Sequence, residues 1–179
     1  MSDFTLRKAT LEDRPELERL IADSARGLSR PDYTDAQVEA ALGAAFGVDS
    51  ELIHDGTYFV AEADGRIVGC GGWSKRGTLF GGDAQPGRRS ELLDPSRDAA
   101  RIRAFFVHPG RARRGIGRAI LERCEAEARS QGFRSAELLA TLPGHKFYRM
   151  LGYTGDERVA HELPGGVTID FIPMSKPLR

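Results

Sequence analysis

The stretch that most constrains the fold of this chain runs from residue 101 to residue 131. It begins with an apolar run from Ile102 to Val107, rich in aromatic and β-branched residues, which predicts a buried strand. Pro109 and Gly110 end that run and predict a turn. Apolar residues at four-residue spacing then predict a helix. These residues are Ile116, Ile120, Cys124 and Ala128. We therefore expect a strand, a tight turn and a helix in direct succession, with Gly132 as a left-handed C-cap.

The start of this helix lacks a capping side chain, whereas other helix starts in the chain have one. Two earlier segments fit a capping box, the first with Asp13 and Glu16 and the second with Thr34 and Gln37. The helix after the turn instead opens on the tripeptide 115–117, which is Gly-Ile-Gly. Its first backbone N–H groups are therefore expected to lack an internal acceptor.

An open helix start of this kind predicts a phosphate or pyrophosphate site. Glycine lets a ligand approach the backbone, and the positive end of the helix dipole favours an anion. Arg113, Arg114 and Arg118 add positive charge at the same end. A purely structural alternative is a tight strand-to-helix turn whose arginines are solvated.

Two well-known phosphate-binding patterns do not fit this turn. A dinucleotide fingerprint needs a third glycine where Ile120 stands, and a P-loop needs Lys-Ser/Thr after Gly115. The segment from Ala112 to Gly117 instead resembles the acyl-CoA loop of the GCN5-related N-acetyltransferase (GNAT) family, with the pattern Gln/Arg-x-x-Gly-x-Gly/Ala after a central strand. It departs from that pattern at the first position, where alanine replaces Gln or Arg.

A second segment strengthens the resemblance to the GNAT family. The residues from Phe147 to Tyr153 look like the other family signature, an aromatic-Tyr pair that ends in Leu-Gly-Phe/Tyr. This segment follows the glycine turn by about thirty residues, in the family order. The resemblance covers residues 4 to about 173, and two signatures in the right order are more specific than either one alone.

The pattern along the rest of the chain predicts an α/β (α+β mixed) class. Strands are predicted at 4–9, 57–63, 66–73, 102–107, 135–141, 152–159 and 166–172, and 77–80 is a further candidate. Helices are predicted at 13–26, 34–46, 119–129 and 145–151, the third of them opening on the tripeptide 115–117. The pair Asp64 and Gly65 predicts a two-residue hairpin turn, and Gly69, Gly71 and Gly72 predict a bulge or a close approach of backbone or ligand.

The expected fold is GNAT-like: a central mixed twisted sheet of about seven strands, flanked on both faces by about four helices. A length of 179 residues fits a single N-acetyltransferase domain over residues 1–179. The segment from residue 74 to residue 99 is long, polar and rich in glycine and proline. It is expected either to cover the acceptor site or to be a mobile insertion.

Composition excludes several functional classes. Acidic and basic residues balance at 26 each, so no bulk attraction to nucleic acid or to an anionic membrane is expected. No apolar run reaches the roughly 18 residues of a membrane span, and a cytoplasmic protein is expected. Cys70 and Cys124 fit small core residues, and the four histidines form no metal pattern, so no metal site is expected.

The resemblance implies acetyl-CoA as co-substrate and assigns roles to particular residues. The backbone of Phe105, Phe106 and Val107 would hold the pantetheine arm, and an amide of this strand would polarise the thioester carbonyl. The pyrophosphate would be bound by Arg113, Arg114, Gly115, Ile116, Gly117 and Arg118. Tyr148 matches the family tyrosine that protonates the departing thiolate, a role that suits a phenol that is neutral at pH 7. The alternative for Tyr148 is a half-buried helix aromatic.

The general base is left open by the sequence. Glu137 is the nearest match to the carboxylate that the family often uses, His145 has a suitable intrinsic pKa, and a chain of water molecules is an equal alternative. Asp32 and Tyr33, at the break between the first two helices, are either substrate contacts or ordinary turn residues.

The sequence thus predicts an N-acetyltransferase that transfers acetyl directly from acetyl-CoA to a primary amine of a small molecule or protein, in a ternary complex. A homodimer is compatible with the resemblance, because dimers are common in the family. Two other classes stay open: a non-catalytic acyl-CoA-binding sensor, and a nucleic-acid-binding module built on the arginines of the turn and the strand before it. Salt-dependent retention on DNA or RNA would distinguish the last class.

Overall fold

A computed structural model of the chain describes residues 3–179, in seven strands, five α-helices and three short 3-10 turns. The strands are β1 (Thr5–Lys8), β2 (Tyr58–Ala63), β3 (Arg66–Ser74), β4 (Ala100–Val107), β5 (Ser135–Thr141), β6 (Val159–Glu162) and β7 (Thr168–Pro177). The helices are α1 (Arg14–Leu28), α2 (Asp35–Leu42), α3 (Ser50–Asp55), α4 (Ile116–Ser130) and α5 (His145–Met150).

The strands form one mixed sheet in the order β1-β2-β3-β4-β5-β7-β6. Only β4 and β5 pair in parallel, and every other neighbouring pair is antiparallel. The prediction of a mixed sheet of about seven strands is therefore confirmed. The short helix α3 was not predicted, because a six-residue helix gives too little apolar periodicity to recognise.

Helices cover both faces of the sheet, as predicted. On one face, α4 and α5 pack their apolar side chains, among them Ile120 and Tyr148, against β4 and β5. On the other face, α1, α2 and α3 contribute residues such as Leu17, Val38 and Leu52 to a second apolar cluster. Each face of the sheet therefore has its own core, and any opening in the sheet lies between two apolar layers.

Such an opening lies between β4 and β5. These two strands pair only at Ala100 with Ala136 and at Arg101 with Glu137. β5 continues to Thr141 in full register with β7, whereas β4 continues to Val107 beside β3. The two parallel strands therefore part after Arg101, and the edge of β4 that faces β5 is left without a strand partner.

A β-bulge reinforces the departure of β4. Gly72 pairs with Arg103 and Cys70 with Phe106, so two residue steps on β3 face three on β4. Ala104 takes up the extra residue with a φ of +64°. A Cβ on Gly71 would lie 2.8 Å from the Phe105 ring, which explains a glycine at this point of β3. The structure therefore shows both the bulge and the close approach that the glycines of β3 predicted.

Local capping follows the prediction at most ends and departs from it at one. Thr34 and Gln37 form the expected capping box, and Gly132 has the expected left-handed conformation with a φ of +93°. The predicted capping box of Asp13 and Glu16 is wrong. Asp13 instead closes a 3-10 turn by accepting from the Thr10 backbone N–H (2.7 Å), and Glu16 accepts from the backbone N–H of Ile67 (2.9 Å).

Other boundaries also differ from the prediction. The second helix ends at Leu42 rather than at residue 46, and the strand predicted over 152–159 is largely loop before β6 begins at Val159. The chain passes so close to β7 here that a Cβ on Gly155 would lie 2.1 Å from the Pro173 carbonyl oxygen. Only Thr154 forms a bridge, with Ser175, so the contact does not extend into a strand.

The segment 74–99 contains no strand at 77–80, and side-chain contacts hold it in place instead. Arg76 pairs with Asp55 (2.8 Å) on α3, and Arg88 pairs with Asp49 (3.1 Å) just before that helix. The central anchor is Arg103 on β4, whose guanidinium contacts Asp49 (2.7 Å) and donates to the Thr78 carbonyl (2.6 Å). The predicted strand is therefore replaced by a loop tied to buried charges.

Cys70 and Cys124 are both buried with free thiols, as core residues would be. Within residues 3–179, no helix has the length and apolar character needed to cross a membrane. Over the same residues, no group of three or more His, Cys, Asp or Glu side chains is arranged to hold a metal ion.

Candidate active site

The turn before α4 presents a run of free backbone donors. Gly115 occupies the N-cap position with a φ of +85°, and no side chain caps the helix. The first backbone bond of the helix runs from the Ala119 N–H to the Gly115 carbonyl (3.0 Å). None of the six backbone N–H groups from Arg113 to Arg118 has an acceptor among residues 3–179. A Cβ on Gly115 would meet nothing within 4 Å, so the space beside this residue is open.

The arginines of this turn differ in how far their charge is already neutralised. Arg111 pairs with Asp3 (3.2 Å) and Asp64 (2.6 Å), and Arg114 also contacts Asp3 (3.4 Å). Arg118 pairs with Glu122 (2.9 Å) one helical turn away. Such exposed pairs are weak and exchange easily with a stronger anion.

Arg113 is exposed, has a left-handed φ of +64°, and forms no ion pair with any residue that the structure describes. Its guanidinium is therefore available at the open helix start. Six free amides and an available arginine at the positive end of a helix are a suitable environment for a pyrophosphate.

The gap between β4 and β5 opens beside this turn. The backbone N–H of Val107 points away from the sheet and donates to the Ser24 hydroxyl of α1 (3.2 Å). Phe105 belongs to the apolar layer under α4 and α5, and Phe106 belongs to the layer under α1 and α2. The three residues that sequence analysis assigned to the pantetheine arm therefore line the parted edge of β4 and its two sides.

Tyr148 lies on α5 beside the parted strand. Its ring contacts those of Phe105 (6.3 Å between centroids), Phe147 (4.9 Å) and Tyr153 (5.8 Å). The side chain is 9% exposed, and its hydroxyl has no hydrogen-bond partner among residues 3–179. Burial, with a smaller contribution from Cys124, raises the pKa of Tyr148 well above that of a free phenol. The phenol therefore keeps its proton at neutral and moderately alkaline pH.

The two sequence signatures meet in space at Gly117 and Phe147. A Cβ on Gly117 would lie 3.1 Å from the Phe147 ring. Glycine at this position therefore lets α5 close over the first turn of α4. This contact places Tyr148, the next residue along α5, near the start of the helix that carries the free amides.

Glu137 and one ring nitrogen of His145 already have partners. Glu137 forms an ion pair with Arg101 at the last point where β4 and β5 still pair. His145 Nε2 hydrogen-bonds the Gly155 carbonyl (2.8 Å) and lies 3.1 Å from the Asp156 carboxylate.

Tyr33 is fixed in the core rather than presented to a ligand. It is 4% exposed, and its hydroxyl donates to the Asp170 carbonyl (2.6 Å) while accepting from the Leu142 N–H (2.9 Å). Burial raises the pKa of Tyr33 to about 12. These two hydrogen bonds of Tyr33 therefore connect the turn between α1 and α2 to the end of β5 and to β7.

Sequence reasoning missed three features around the gap: the Ser24 contact to β4, the Arg103 network, and a group of aromatic side chains on the α1 side. A signal existed for Arg103, because a charged residue interrupts an otherwise apolar strand. Its side chain is 2% exposed and its partner Asp49 lies 54 residues away, a separation that no spacing rule can anticipate.

The site combines three features: a helix start suited to a phosphate, a gap between the parallel strands β4 and β5, and a protonated phenol between them. These features fit the acyltransferase class of enzyme that the resemblance implied. The family model described as the acetyltransferase (GNAT) family matches residues 16–153. The chain therefore belongs to the GNAT family and is an acyltransferase.

Solved structures with similar folds include three that cover nearly the whole chain. A GCN5-related N-acetyltransferase from Rhodopseudomonas palustris, also described as a class-II aminotransferase, is 21% identical with a TM-score of 0.74, and the match covers 99% of this chain and 98% of that one. PaiA N-acetyltransferase from Thermoplasma acidophilum, in complex with coenzyme A, is 17% identical with a TM-score of 0.65 and 99% coverage of both chains.

YncA from Salmonella typhimurium, solved with acetyl-CoA, is 19% identical with a TM-score of 0.62, covering 99% of this chain and 95% of that one. A search of curated protein sequences gives no significant match. At these identities the structural neighbours establish the fold, and the family model establishes the family.

Proposed function

We propose that this protein transfers an acetyl group from acetyl-CoA to a primary amine of a small molecule or protein, directly and within a ternary complex. The observation that carries the proposal is the run of six backbone N–H groups at the start of α4 that have no acceptor within the described part of the chain. Similar folds have been solved with coenzyme A and with acetyl-CoA, which supports this choice of donor.

The residues at the helix start fit the pyrophosphate of coenzyme A. The amides of residues 113–118 donate to its oxygens, and Arg113 adds a charge that no acidic side chain within residues 3–179 already neutralises. Arg114 and Arg118 can join by exchanging their exposed partners for the phosphate. The loop thus binds the charged pyrophosphate of acetyl-CoA, while the reactive thioester end of acetyl-CoA lies in the gap between β4 and β5.

The parted edge of β4 holds the pantetheine arm. Backbone groups of Phe105, Phe106 and Val107 have the extended geometry that pairs with an amide-containing chain. An amide of this strand would polarise the thioester carbonyl as negative charge develops on its oxygen. In the free protein the Val107 N–H is held by Ser24, so a bound arm would replace that hydroxyl.

Tyr148 is proposed as the general acid. Acetyl-CoA supplies an activated acyl group and, as it reacts, a thiolate that needs a proton. The Tyr148 hydroxyl retains its proton because burial raises the pKa of the phenol, and the hydroxyl has no competing acceptor among the described residues. The ring contacts with Phe105 and Phe147 fix the direction in which the hydroxyl points.

We assign removal of the ammonium proton from the acceptor to water rather than to a side chain. Glu137 is paired with Arg101. His145 Nε2 donates to the Gly155 carbonyl and also lies beside the Asp156 carboxylate, and these contacts tie the ring to the loop after α5. The amine must be neutral to attack. Turnover at low amine concentration is therefore expected to rise with pH up to the pKa of the amine itself.

Calorimetric titration with acetyl-CoA tests the donor site, with ATP and NAD as controls. We expect selective binding of acetyl-CoA, and we expect Gly117→Val to weaken it by about tenfold or more because the new side chain meets both the ligand and Phe147. Arg129→Val, at an exposed position in the last turn of α4, is the matched control for adding a β-branched residue to this helix.

Equal binding by wild type and Gly117→Val would contradict the assignment of the loop. Release of thiol in the presence of an amine panel then tests catalysis. Acetyl-CoA binding without thiol release from any amine would instead favour a non-catalytic acyl-CoA sensor, the alternative that the engaged states of Glu137 and His145 support.

A further inference from the structure

The two sides of the gap between β4 and β5 differ in chemistry. The side under α4 and α5 carries Phe105, Phe147 and Tyr148, next to the free amides that are proposed to hold acetyl-CoA. The side under α1 and α2 carries Ala104, Phe106 and Leu139. If acetyl-CoA binds on the first side as proposed, the acceptor amine has to approach from the second side.

The second side contains a continuous group of aromatic rings from five different parts of the chain. We define the aromatic group as Phe46, Phe80, Phe106, His161 and Phe171. Phe46 contacts Phe106 (5.7 Å between centroids) and Phe171 (6.3 Å), while Phe80 contacts His161 (4.9 Å) and Phe171 (5.7 Å). His161 also contacts Phe171 (5.3 Å), so the rings extend without interruption from the parted strand β4 to the edge strand β6.

His161 has a polar atom that nothing in its surroundings satisfies. Its Nε2 is buried and has no hydrogen-bond partner among residues 3–179. Burial alone lowers the pKa of His161, with no charged side chain contributing, so the imidazole is neutral near pH 7. A buried polar atom without a partner is costly, and in a native structure it calls for an explanation.

Phe80 belongs to the long segment 74–99, and its position is set by the chain around it. Thr78 is held by Arg103 (2.6 Å), and a Cβ on Gly82 would lie 2.6 Å from the backbone of Gly47. Gly81 adopts a φ of +95°. This tight path presents Phe80 to the rings of β6 and β7, so the long segment supplies one wall of the aromatic group.

We propose that the aromatic group binds the body of the acceptor, and that the acceptor is a primary alkylamine that carries an aromatic ring. A hydroxyl or carbonyl on that ring hydrogen-bonds His161 Nε2. This inference rests on the proposed function, because it names the acceptor class for that same site. It follows from apolar rings that extend away from the gap and from one nitrogen among them that has no hydrogen-bond partner within residues 3–179. A polyamine would find no carboxylate in the aromatic group.

The test compares three amines in a thiol-release assay: tyramine, 2-phenylethylamine and spermidine. We expect wild-type kcat/KM to be about tenfold higher for either aromatic amine than for spermidine. Tyramine should exceed 2-phenylethylamine by about fivefold, because only its hydroxyl satisfies His161. In His161→Phe, which keeps a ring but removes both nitrogens, the tyramine-to-phenylethylamine ratio should fall to about one.

Phe80→Ala tests the wall that the long segment contributes. Phe80 is partly exposed, so its removal does not empty the core, and kcat/KM for both aromatic amines should fall by about tenfold with the value for spermidine much less affected. Leu92→Ala is the matched control: Leu92 is 65% exposed in the same segment and lies outside the aromatic group.

The proposal would be overturned by a preference of the wild type for spermidine, or by a tyramine advantage that survives in His161→Phe. Calorimetric titration with tyramine in the presence of coenzyme A gives a readout that does not depend on turnover. If the wild type binds tyramine no more strongly than propylamine, the proposal is also overturned. Failure of acetyl-CoA itself to bind would contradict the proposed function instead. The tyramine titration would then still decide whether the aromatic group binds aromatic amines.

Discussion

Removing the Tyr148 hydroxyl should separate chemistry from binding and from stability. Tyr148→Phe keeps the ring that packs against Phe105, Phe147 and Tyr153, so the shape of the site is preserved. The lost hydroxyl has no hydrogen-bond partner among the described residues, so the free energy of unfolding should change by less than about 0.5 kcal/mol. The variant lacks the proposed proton donor, however.

The expected loss is confined to turnover. Positioned general acids contribute about 100-fold to 10,000-fold in rate, so kcat should fall by about 100-fold or more. The dissociation constant for acetyl-CoA should change by less than about twofold, because the proposed role of the hydroxyl begins only as the thiolate leaves. Thiol release measures kcat, calorimetry measures acetyl-CoA affinity, and urea unfolding measures stability.

Tyr153→Phe is the matched control, because it removes the same group from a neighbouring ring. The Tyr153 hydroxyl donates to Glu125 (3.0 Å) in a buried environment, where the carboxylate also pairs with Lys176 (3.0 Å). This variant should lose about 1–2 kcal/mol of stability and keep its chemistry. Tyr148→Phe should show the opposite pattern. Equal losses of kcat and of acetyl-CoA affinity in Tyr148→Phe would refute the assignment of Tyr148 as acid.

Two further predictions concern stability. Arg103→Ala should lower the free energy of unfolding by about 3 kcal/mol, measured with urea, because it removes one partner of the fully buried Asp49. Arg26→Ala breaks an exposed ion pair and should lower it by less than about 1 kcal/mol. Similar losses in the two variants would contradict the role of the buried network. Alkaline pH should also destabilise the protein, because burial raises the pKa of Tyr33 and of Cys70 to about 12, above their ordinary values of 10.0 and 9.0. The contribution of these protonated groups to the free energy of unfolding is complete below pH 9 and is lost as the pH rises toward 12. For Cys70 the loss is up to about 1.4 kcal/mol per pH unit. A free energy of unfolding that stays constant from pH 8 to pH 11, measured by urea titration, would contradict the burial of these groups.

The sequence predicted those parts of the fold that depend on local signals. The strand, turn and helix from β4 to α4 follow from apolar runs, glycine positions and a missing cap, all readable within thirty residues. The hairpin turn at Asp64 and Gly65 is confirmed by left-handed φ angles of 52° and 73°. The site signatures are equally local, and the contact between Gly117 and Phe147 brings them together.

The parts that could not be predicted depend on contacts between distant residues. The strand expected over 152–159 fails because Gly155 passes over Pro173 of β7, and no pattern within that segment reveals this neighbour. Glu137 looked like a free carboxylate until its partner Arg101 on the adjacent strand was known. His161 gave no signal at all, because an isolated histidine in a short edge strand is typical of many surfaces, and only its aromatic neighbours set it apart.

The anchoring of the segment 74–99 by Arg103 has a consequence for how selective this enzyme can be. A loop that is already fixed by buried ion pairs has lost its conformational entropy during folding, so a ligand that contacts it does not have to bear that cost again. Such a surface can bind a well-fitting partner tightly but adjusts poorly to a different shape. Changing the range of the proposed amine acceptors is therefore expected to require substitutions that loosen the loop as well as ones that reshape it.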